Sequence, residues 1–222
     1  MLTPQKIEFI EFMMSADVLR FGDFTTKSGR QTPYFVNTGN YKTGMQISKL
    51  GHFYAECINQ SCGDDFDAMF GPAYKGIALA VSAASALAVD FGIDKPYFFN
   101  RKEAKDHGEG GSLIGYAPKQ GDNVIIIEDV ITAGTALREV LPILHGIGAT
   151  VKDMFISVNR CEIGQNPNMT VVQEVKSEFG INVHSIIDVT DIYAYLSEKT
   201  EYAEVLPRMK AYMDQYCVID PS

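Results

Sequence analysis

The sequence predicts an α/β fold with a mostly parallel central sheet flanked by helices. From Phe66 onward, short apolar runs alternate with helical stretches, the pattern of strands joined by helical crossovers. Val124-Ile125-Ile126-Ile127 is an unbroken apolar run, as expected of a strand covered on both faces. At 222 residues, with 46% hydrophobic and 21% charged residues, the chain is long enough to fill a substantial core. The expected organisation is a single domain over residues 1–222. Its N-terminal helix and hairpin, about 1–40, form a small hood; the core spans about 43–190 and C-terminal helices about 191–217.

Each element has a local reason. Thr3 then Pro4 starts a helix, because Thr caps and Pro suits the first turn; Ile7, Ile10 and Met14 follow at helical spacing. Phe21 to Gly39 reads as a hairpin, with Phe24-Thr25-Thr26, a Ser28-Gly29 turn and Tyr34-Phe35-Val36. Pro33 keeps its second strand at an edge. Thr43 caps a helix carrying Ile47, Leu50, Tyr54 and Ile58. Phe66 to Phe70 is a strand, and the small-residue stretch Gly76 to Val89 a tightly packed helix. Pro96 to Asn100 is a second strand, followed by a Gly-rich polar stretch from Arg101 to Gly115. Asn123 to Glu128 holds the strongest strand signal. A helix from Ala136 to about His145 follows, then strands near Met154–Val158 and Ile181–Ile187, and a largely helical Tyr193–Tyr216.

Composition removes several function classes. The net charge of −9 repels nucleic acid and anionic membrane surfaces. No stretch of about 18 apolar residues is present to span a membrane, and the start Met1-Leu2-Thr3-Pro4-Gln5-Lys6 lacks an apolar signal core. Four cysteines, at 57, 62, 161 and 217, show neither C-x-x-C nor zinc spacing. The expectation is a cytoplasmic protein with reduced thiols.

In open α/β sheets, ligands bind beyond the carboxyl ends of the strands. Four segments leaving those ends carry unusual chemistry. In Glu128-Asp129-Val130-Ile131-Thr132-Ala133-Gly134-Thr135-Ala136, a buried strand ends in two carboxylates, and a Thr/Gly/Thr turn then opens a helix. N–H groups at that helix start, with the Thr132 and Thr135 hydroxyls, suit a phosphate. Glu128 and Asp129 suit hydrogen-bond donors such as sugar hydroxyls, or a cation, so one turn can hold both ends of a sugar phosphate. Gly71-Pro72-Ala73-Tyr74-Lys75-Gly76-Ile77 is not a Walker A loop, since Ile stands where Lys is required. Arg101, Lys102 and Lys105, with nearby glycines, suggest a mobile loop closing over a polyanion. Lys27-Ser28-Gly29-Arg30 beside Tyr34-Phe35 is a basic turn next to aromatics that could cover a flat anionic ring, and Tyr74-Lys75 follows a short strand.

Together, Glu128 to Ala136 resembles the phosphoribosyl-diphosphate-binding motif of the type I phosphoribosyltransferases. Thr26 to Arg30 with Pro33-Tyr34-Phe35, Gly71 to Gly76 and Arg101 to Gly108 occur in the order found in the orotate phosphoribosyltransferases. The resemblance implies the type I fold with a hood and a flexible lid loop. It implies transfer of ribose 5-phosphate from 5-phosphoribosyl 1-diphosphate to N1 of orotate, yielding orotidine 5'-monophosphate and diphosphate in pyrimidine (UMP) biosynthesis. It also implies Mg²⁺, held mainly by diphosphate and water with no protein ligand assigned, and a homodimer whose lid reaches the neighbouring site.

By position, Val130, Ile131, Thr132, Ala133, Gly134, Thr135 and Ala136 would belong to the phosphate-binding turn, and Glu128 and Asp129 would face the ribose. Lys27, Tyr74, Lys75, Arg101, Lys102, Lys105 and His107 match positions engaging the donor. Lys102, Lys105, His107 and Asp129 are the expected catalytic side chains, with Lys105 the most rate-sensitive. Tyr34, Phe35 and Thr132 match orotate contacts, and Arg160 the residue recognising its carboxylate. Glu128 departs from the frequent Asp-Asp pair of the family by its longer arm.

These residue types suit the implied chemistry. Orotate brings its own nucleophilic nitrogen, so the protein must orient the reactants, neutralise the leaving group and exclude water. A phosphoribosyltransferase for another nucleobase is the nearest alternative, against which Arg160 speaks. A non-catalytic donor sensor that binds nucleic acid is another, opposed by the acidic total. Lys27, Arg30, Lys75, Arg101, Lys102, Lys105 and Arg160 all fall in the singled-out segments. Without these seven, 12 basic residues face 28 acidic ones.

Overall fold

The computed structural model describes residues 2–26, 29–102, 113–131 and 134–219. α1 (Pro4–Ser15) starts as the sequence predicts, with the Thr3 side chain accepting from Lys6 N and Pro4 in the first turn. β1 (Leu19–Thr25) and β2 (Gln31–Val36) form a separate two-stranded antiparallel sheet. α2 (Gly44–Ser61) opens with a reciprocal Thr43–Gln46 capping box, which satisfies two otherwise orphaned N–H groups.

The main sheet contains β3 (Ala68–Gly71), β4 (Tyr97–Asn100), β5 (Leu113–Gly115), β6 (Asn123–Ile127), β7 (Thr150–Asn159) and β8 (Asn182–Asp188), in the order β5-β4-β3-β6-β7-β8. All neighbours run parallel except β5, which pairs antiparallel to β4. The helices that cross over are α3 (Lys75–Phe91), α4 (Thr135–Gly146) and α5 (Val171–Phe179); α6 (Val189–Ser197) and α7 (Leu206–Tyr216) follow β8.

Every β6 residue is buried, and its side chains divide between two cores. Ile125 and Ile127 join Phe9, Phe53, Tyr54 and Leu79 on one face; Val124 and Ile126 join Phe70, Leu137 and Leu141 on the other. Each fully buried Ile contributes roughly 1.5–3 kcal/mol relative to exposure. β6 is therefore a stiff central support, and the chain leaving its end is held from both sides. Among the described residues, no helix is long and apolar enough to cross a membrane.

Three elements differ from expectation. The end of the polar stretch through Gly115 contains β5, whose three residues are too few to show a period and gain their strand geometry from pairing with Phe98, Phe99 and Asn100. α5 has no counterpart in the sequence reading, although a Thr170–Gln173 capping box starts it and Gly180, at φ 73°, ends it. Tyr193–Tyr216 is divided between α6 and α7, and Pro207 sits in the first turn of α7.

Candidate active site

The carboxyl ends of β3, β6 and β7 lie side by side, and three connecting segments meet there. The turn after β6 is tied down by backbone bonds before any side chain acts. Glu128 N donates to Phe155 O at 3.0 Å, and Tyr54 OH donates to Glu128 O at 2.7 Å. Asp129 O accepts from Ser157 N at 2.9 Å and Ser157 Oγ at 2.7 Å. The two acidic side chains thus leave a fixed backbone.

Their environments push them apart. Asp129, 7% exposed, accepts from Lys75 Nζ at 2.7 Å and Thr38 Oγ1 at 2.6 Å through Oδ2, and from Val130 N at 2.8 Å through Oδ1. Burial alone would raise its pKa, but the Lys75 and Thr38 hydrogen bonds outweigh it and hold the carboxyl below its ordinary value. Among the described residues no cation hydrogen-bonds Glu128, and the Lys75 charge opposes the effect of burial only weakly. Burial pushes its carboxyl up to about 7, against a hydrogen bond from Asp129 N and with the neighbouring Asp129 charge adding to the rise. One carboxylate stays ionised while the other titrates near neutrality.

Lys75 arrives from the β3–α3 turn because that turn is pressed against β6. A Cβ on Gly71 would stand 2.2 Å from Gly76 O, and one on Gly76 would stand 2.9 Å from Ile127 O. Ala73 N donates to Asn100 Oδ1 at 2.9 Å, which joins the turn to the end of β4. Tyr74 is 67% exposed, and Lys102 Nζ stands 5.2 Å from its ring centroid. Gly134, at φ 68°, caps α4 in the left-handed region, where a side chain is disfavoured. Its helix start faces a cavity of about 400 Å³ lined by Lys75, Glu128, Asp129, Val130, Ile131, Gly134, Thr135 and Ala136.

Arg160 leaves the end of β7, next to β6. Its guanidinium lies 5.0 Å from the Tyr34 ring centroid, and its Nη2 is 2.7 Å from Glu162 Oε1. Tyr34 is fully buried, so its ring forms a floor beneath Arg160 with no face open to solvent. Phe35 is partly buried and stacks on Phe24 at 5.5 Å. Lys27, Lys105, His107, Thr132 and Ala133 lie outside the described residues, as does the expected lid loop from 101 to 111 beyond Lys102. Thr38, Tyr54, Asn100 and Ser157 support the site but were not singled out in the sequence. Ser157, polar within an apolar strand, carried the one local signal; the others act through partners 27 to 91 positions away.

Comparison with known proteins bears on the same segments. Residues 37–188 match the family model described as phosphoribosyl transferase domain. An orotate phosphoribosyltransferase of Cronobacter sakazakii is 50% identical over 217 residues, covering 98% of this chain and all of that protein. The chain belongs to the orotate phosphoribosyltransferases. This is a family of pentosyltransferase enzymes, and an Actinobacillus succinogenes orotate phosphoribosyltransferase is 51% identical over 213 residues, 96% of this chain and 98% of that protein. The crystal structure of a Francisella tularensis orotate phosphoribosyltransferase superposes with a TM-score of 0.86 at 36% identity, over 95% of this chain and all of that one. The sheet order and flanking helices are those of the type I phosphoribosyltransferase fold. Leishmania donovani UMP synthase, at 21% identity and a TM-score of 0.72 over 95% of this chain and 42% of that one, shares the fold.

Proposed function

We propose that this chain, as one phosphoribosyltransferase domain, transfers ribose 5-phosphate from 5-phosphoribosyl 1-diphosphate to N1 of orotate, with Mg²⁺. The products are orotidine 5'-monophosphate and diphosphate, in pyrimidine biosynthesis in the cytoplasm. The observation that carries this reading is the 400 Å³ cavity, where a helix N-terminus, the Lys75 ammonium and the Glu128–Asp129 pair converge. The α4 start would take the 5-phosphate on its free N–H groups. Glu128 and Asp129 would receive the ribose hydroxyls, and Lys75 would turn to the diphosphate.

The C1–O bond of the donor breaks as N1 of orotate attacks. Positive charge grows on the ribose and negative charge on the departing diphosphate, whose electron pair leaves with its oxygen. Asp129 stays ionised beside the ribose; Lys75, with Lys102 above Tyr74, lies where cations would meet the leaving group. Lys27, Arg101, Lys105 and His107 would complete that shell, and Lys105 on the lid would strengthen its contact as charge develops.

Magnesium fits this donor set. Among the described residues no cluster of three or more His, Cys, Asp or Glu could hold a metal. A hard cation that keeps its waters can sit on phosphate oxygens with few or no direct carboxylate ligands, so the donor's diphosphate and water would mainly hold it, beside Glu128 and Asp129. When bound it would share the diphosphate charge. A homodimer is supported by Met45, Val81 and Val89, exposed large apolar side chains around one groove of about 810 Å³ between α2 and α3.

The test is turnover with orotate, donor and Mg²⁺, followed by loss of orotate absorbance. No turnover in a folded sample overturns the reading. Equal turnover with uracil overturns the acceptor assignment, because a guanidinium paired to a carboxylate has no use for uracil.

A further inference from the structure

Behind Arg160 lies a cluster that the acceptor assignment does not explain. Glu162 presents one carboxylate to two guanidiniums. Its Oε1 is 2.7 Å from Arg160 Nη2 and accepts from Tyr212 OH at 2.5 Å; its Oε2 is 3.4 Å from Arg30 Nη1. Arg30 and Arg160 each approach Tyr212 OH at 3.4 Å, and the Arg30 guanidinium lies 4.6 Å from the Tyr216 ring centroid. The Arg160 and Glu162 side chains are 15% and 20% exposed. Among the described residues, Arg160 Nε and Tyr34 OH are buried without a hydrogen-bond partner.

Two facts bear on what Glu162 does. First, it is fixed: Glu162 bridges antiparallel to Cys217, Ile163 N donates to Tyr216 O at 2.9 Å, and Val218 N donates to Cys161 O at 2.9 Å. The end of α7 is thereby sewn to the segment that follows β7. Second, the charges do not balance. Among the described residues two guanidiniums, with side chains 29% and 15% exposed, share one carboxylate, which leaves one positive charge unpaired in a partly desolvated place and favours the arrival of an anion.

We propose that Glu162 is a positioning residue for acceptor recognition, holding Arg160 over Tyr34 so that the acceptor's carboxylate supplies the missing negative charge. Tyr212 is its auxiliary, donating to Glu162 while accepting from both arginines. This rests on the assignment of orotate as acceptor. Glu162 and Tyr212 both meet Arg160 at Nη2, so an arginine with five donors in a planar fork keeps donors for a second carboxylate. Glu162 therefore orients the guanidinium without exhausting it.

Steady-state kinetics of five proteins tests this: wild type, Glu162→Gln, Tyr212→Phe, Arg160→Ala and the double variant Arg160→Ala/Glu162→Gln. Glu162→Gln is expected to raise KM for orotate about tenfold while KM for the donor moves less than twofold. Tyr212→Phe keeps the ring edge-on to Tyr34 and should shift KM for orotate the same way by about threefold. In the Arg160→Ala background, Glu162→Gln should add less than about twofold, because its effect passes through Arg160. A fall in KM for orotate would make Glu162 a competitor for Arg160 and overturn the proposal. So would equal changes in both KM values, or an undiminished effect in the Arg160→Ala background. If Glu162→Gln does not fold, an unchanged orotate KM in Tyr212→Phe overturns it. Absence of orotate turnover in the wild type rejects the assigned reaction and the proposal with it; normal wild-type turnover with unmoved variants rejects the proposal alone.

Discussion

Glu128 and Asp129 are adjacent in sequence and opposite in behaviour, which makes pH a probe of each. Glu128 titrates at about 7 in the folded chain, against an ordinary 4.5. Between those values the folded state keeps a proton that the unfolded state has released, so stability falls as pH rises through that window. Asp129 has the opposite sign: its carboxyl is held below its ordinary 3.8, so its contribution is present above that pH and lost as pH falls below it. Urea titrations from pH 5 to 8 therefore separate Glu128 from Asp129, and the Glu128→Gln difference reads Glu128 itself. Glu128→Gln should flatten the wild-type decline over that range by on the order of 2 kcal/mol; an unchanged slope would show that Glu128 is ionised throughout. Lys75 gives a second probe. Lys75→Met leaves Asp129 buried with Thr38 as its remaining side-chain donor, and should cost about 1–3 kcal/mol in the same titration while raising KM for the donor. The Lys75 side chain is 60% exposed, so the desolvation falls on the carboxylate and the loss stays below that of a fully buried pair.

The site depends on two turns that the elements on either side force together. A Cβ on Gly76 would lie 2.7 Å from Pro72 Cδ and 2.9 Å from Ile127 O, so the β3–α3 turn and the end of β6 cannot both keep their places in Gly76→Ala. The expected cost is about 1–3 kcal/mol, with a higher donor KM because Lys75 moves with the turn; thermal unfolding and kinetics check both. Local pattern made these elements readable. β6 is apolar at every position after Asn123 because both its faces are covered, and α2 carries its own start signal at Thr43. The acid pair and the glycine before α4 were readable for the same reason, since a strand end and a helix start occupy one stretch of chain. β5 was not, because three residues become a strand only through β4. Thr38 was not, because nothing within Asn37-Thr38-Gly39 points to a carboxylate 91 residues away. α5 did carry a signal, a Thr170–Gln173 box, but its nine residues gave too little periodicity to support it.

At the scale of the molecule, a net charge of −9 surrounds clusters of cations that need anions, and an apolar groove lies elsewhere on the surface. Met45 and Val89 are each 80% exposed at that groove, where Lys49, His52 and Asp90 supply polar neighbours. An apolar face with a polar border fits a second copy of the chain better than it fits water. Val81→Asp/Val89→Asp should therefore run as a 24.5 kDa monomer in sedimentation while the wild type runs at twice that mass. Both side chains already face outward, so the monomer should remain folded by circular dichroism. If the lid also serves the neighbouring site, association and turnover are linked. A mixture of Lys105→Ala and Arg160→Ala chains, refolded together, then forms hybrid dimers in which one site has an intact lid from one chain and an intact acceptor arginine from the other. Turnover above the sum of the separate variants is the expected result. A lid confined to its own subunit leaves every hybrid site with one defect, and the mixture would then be no more active than its parts.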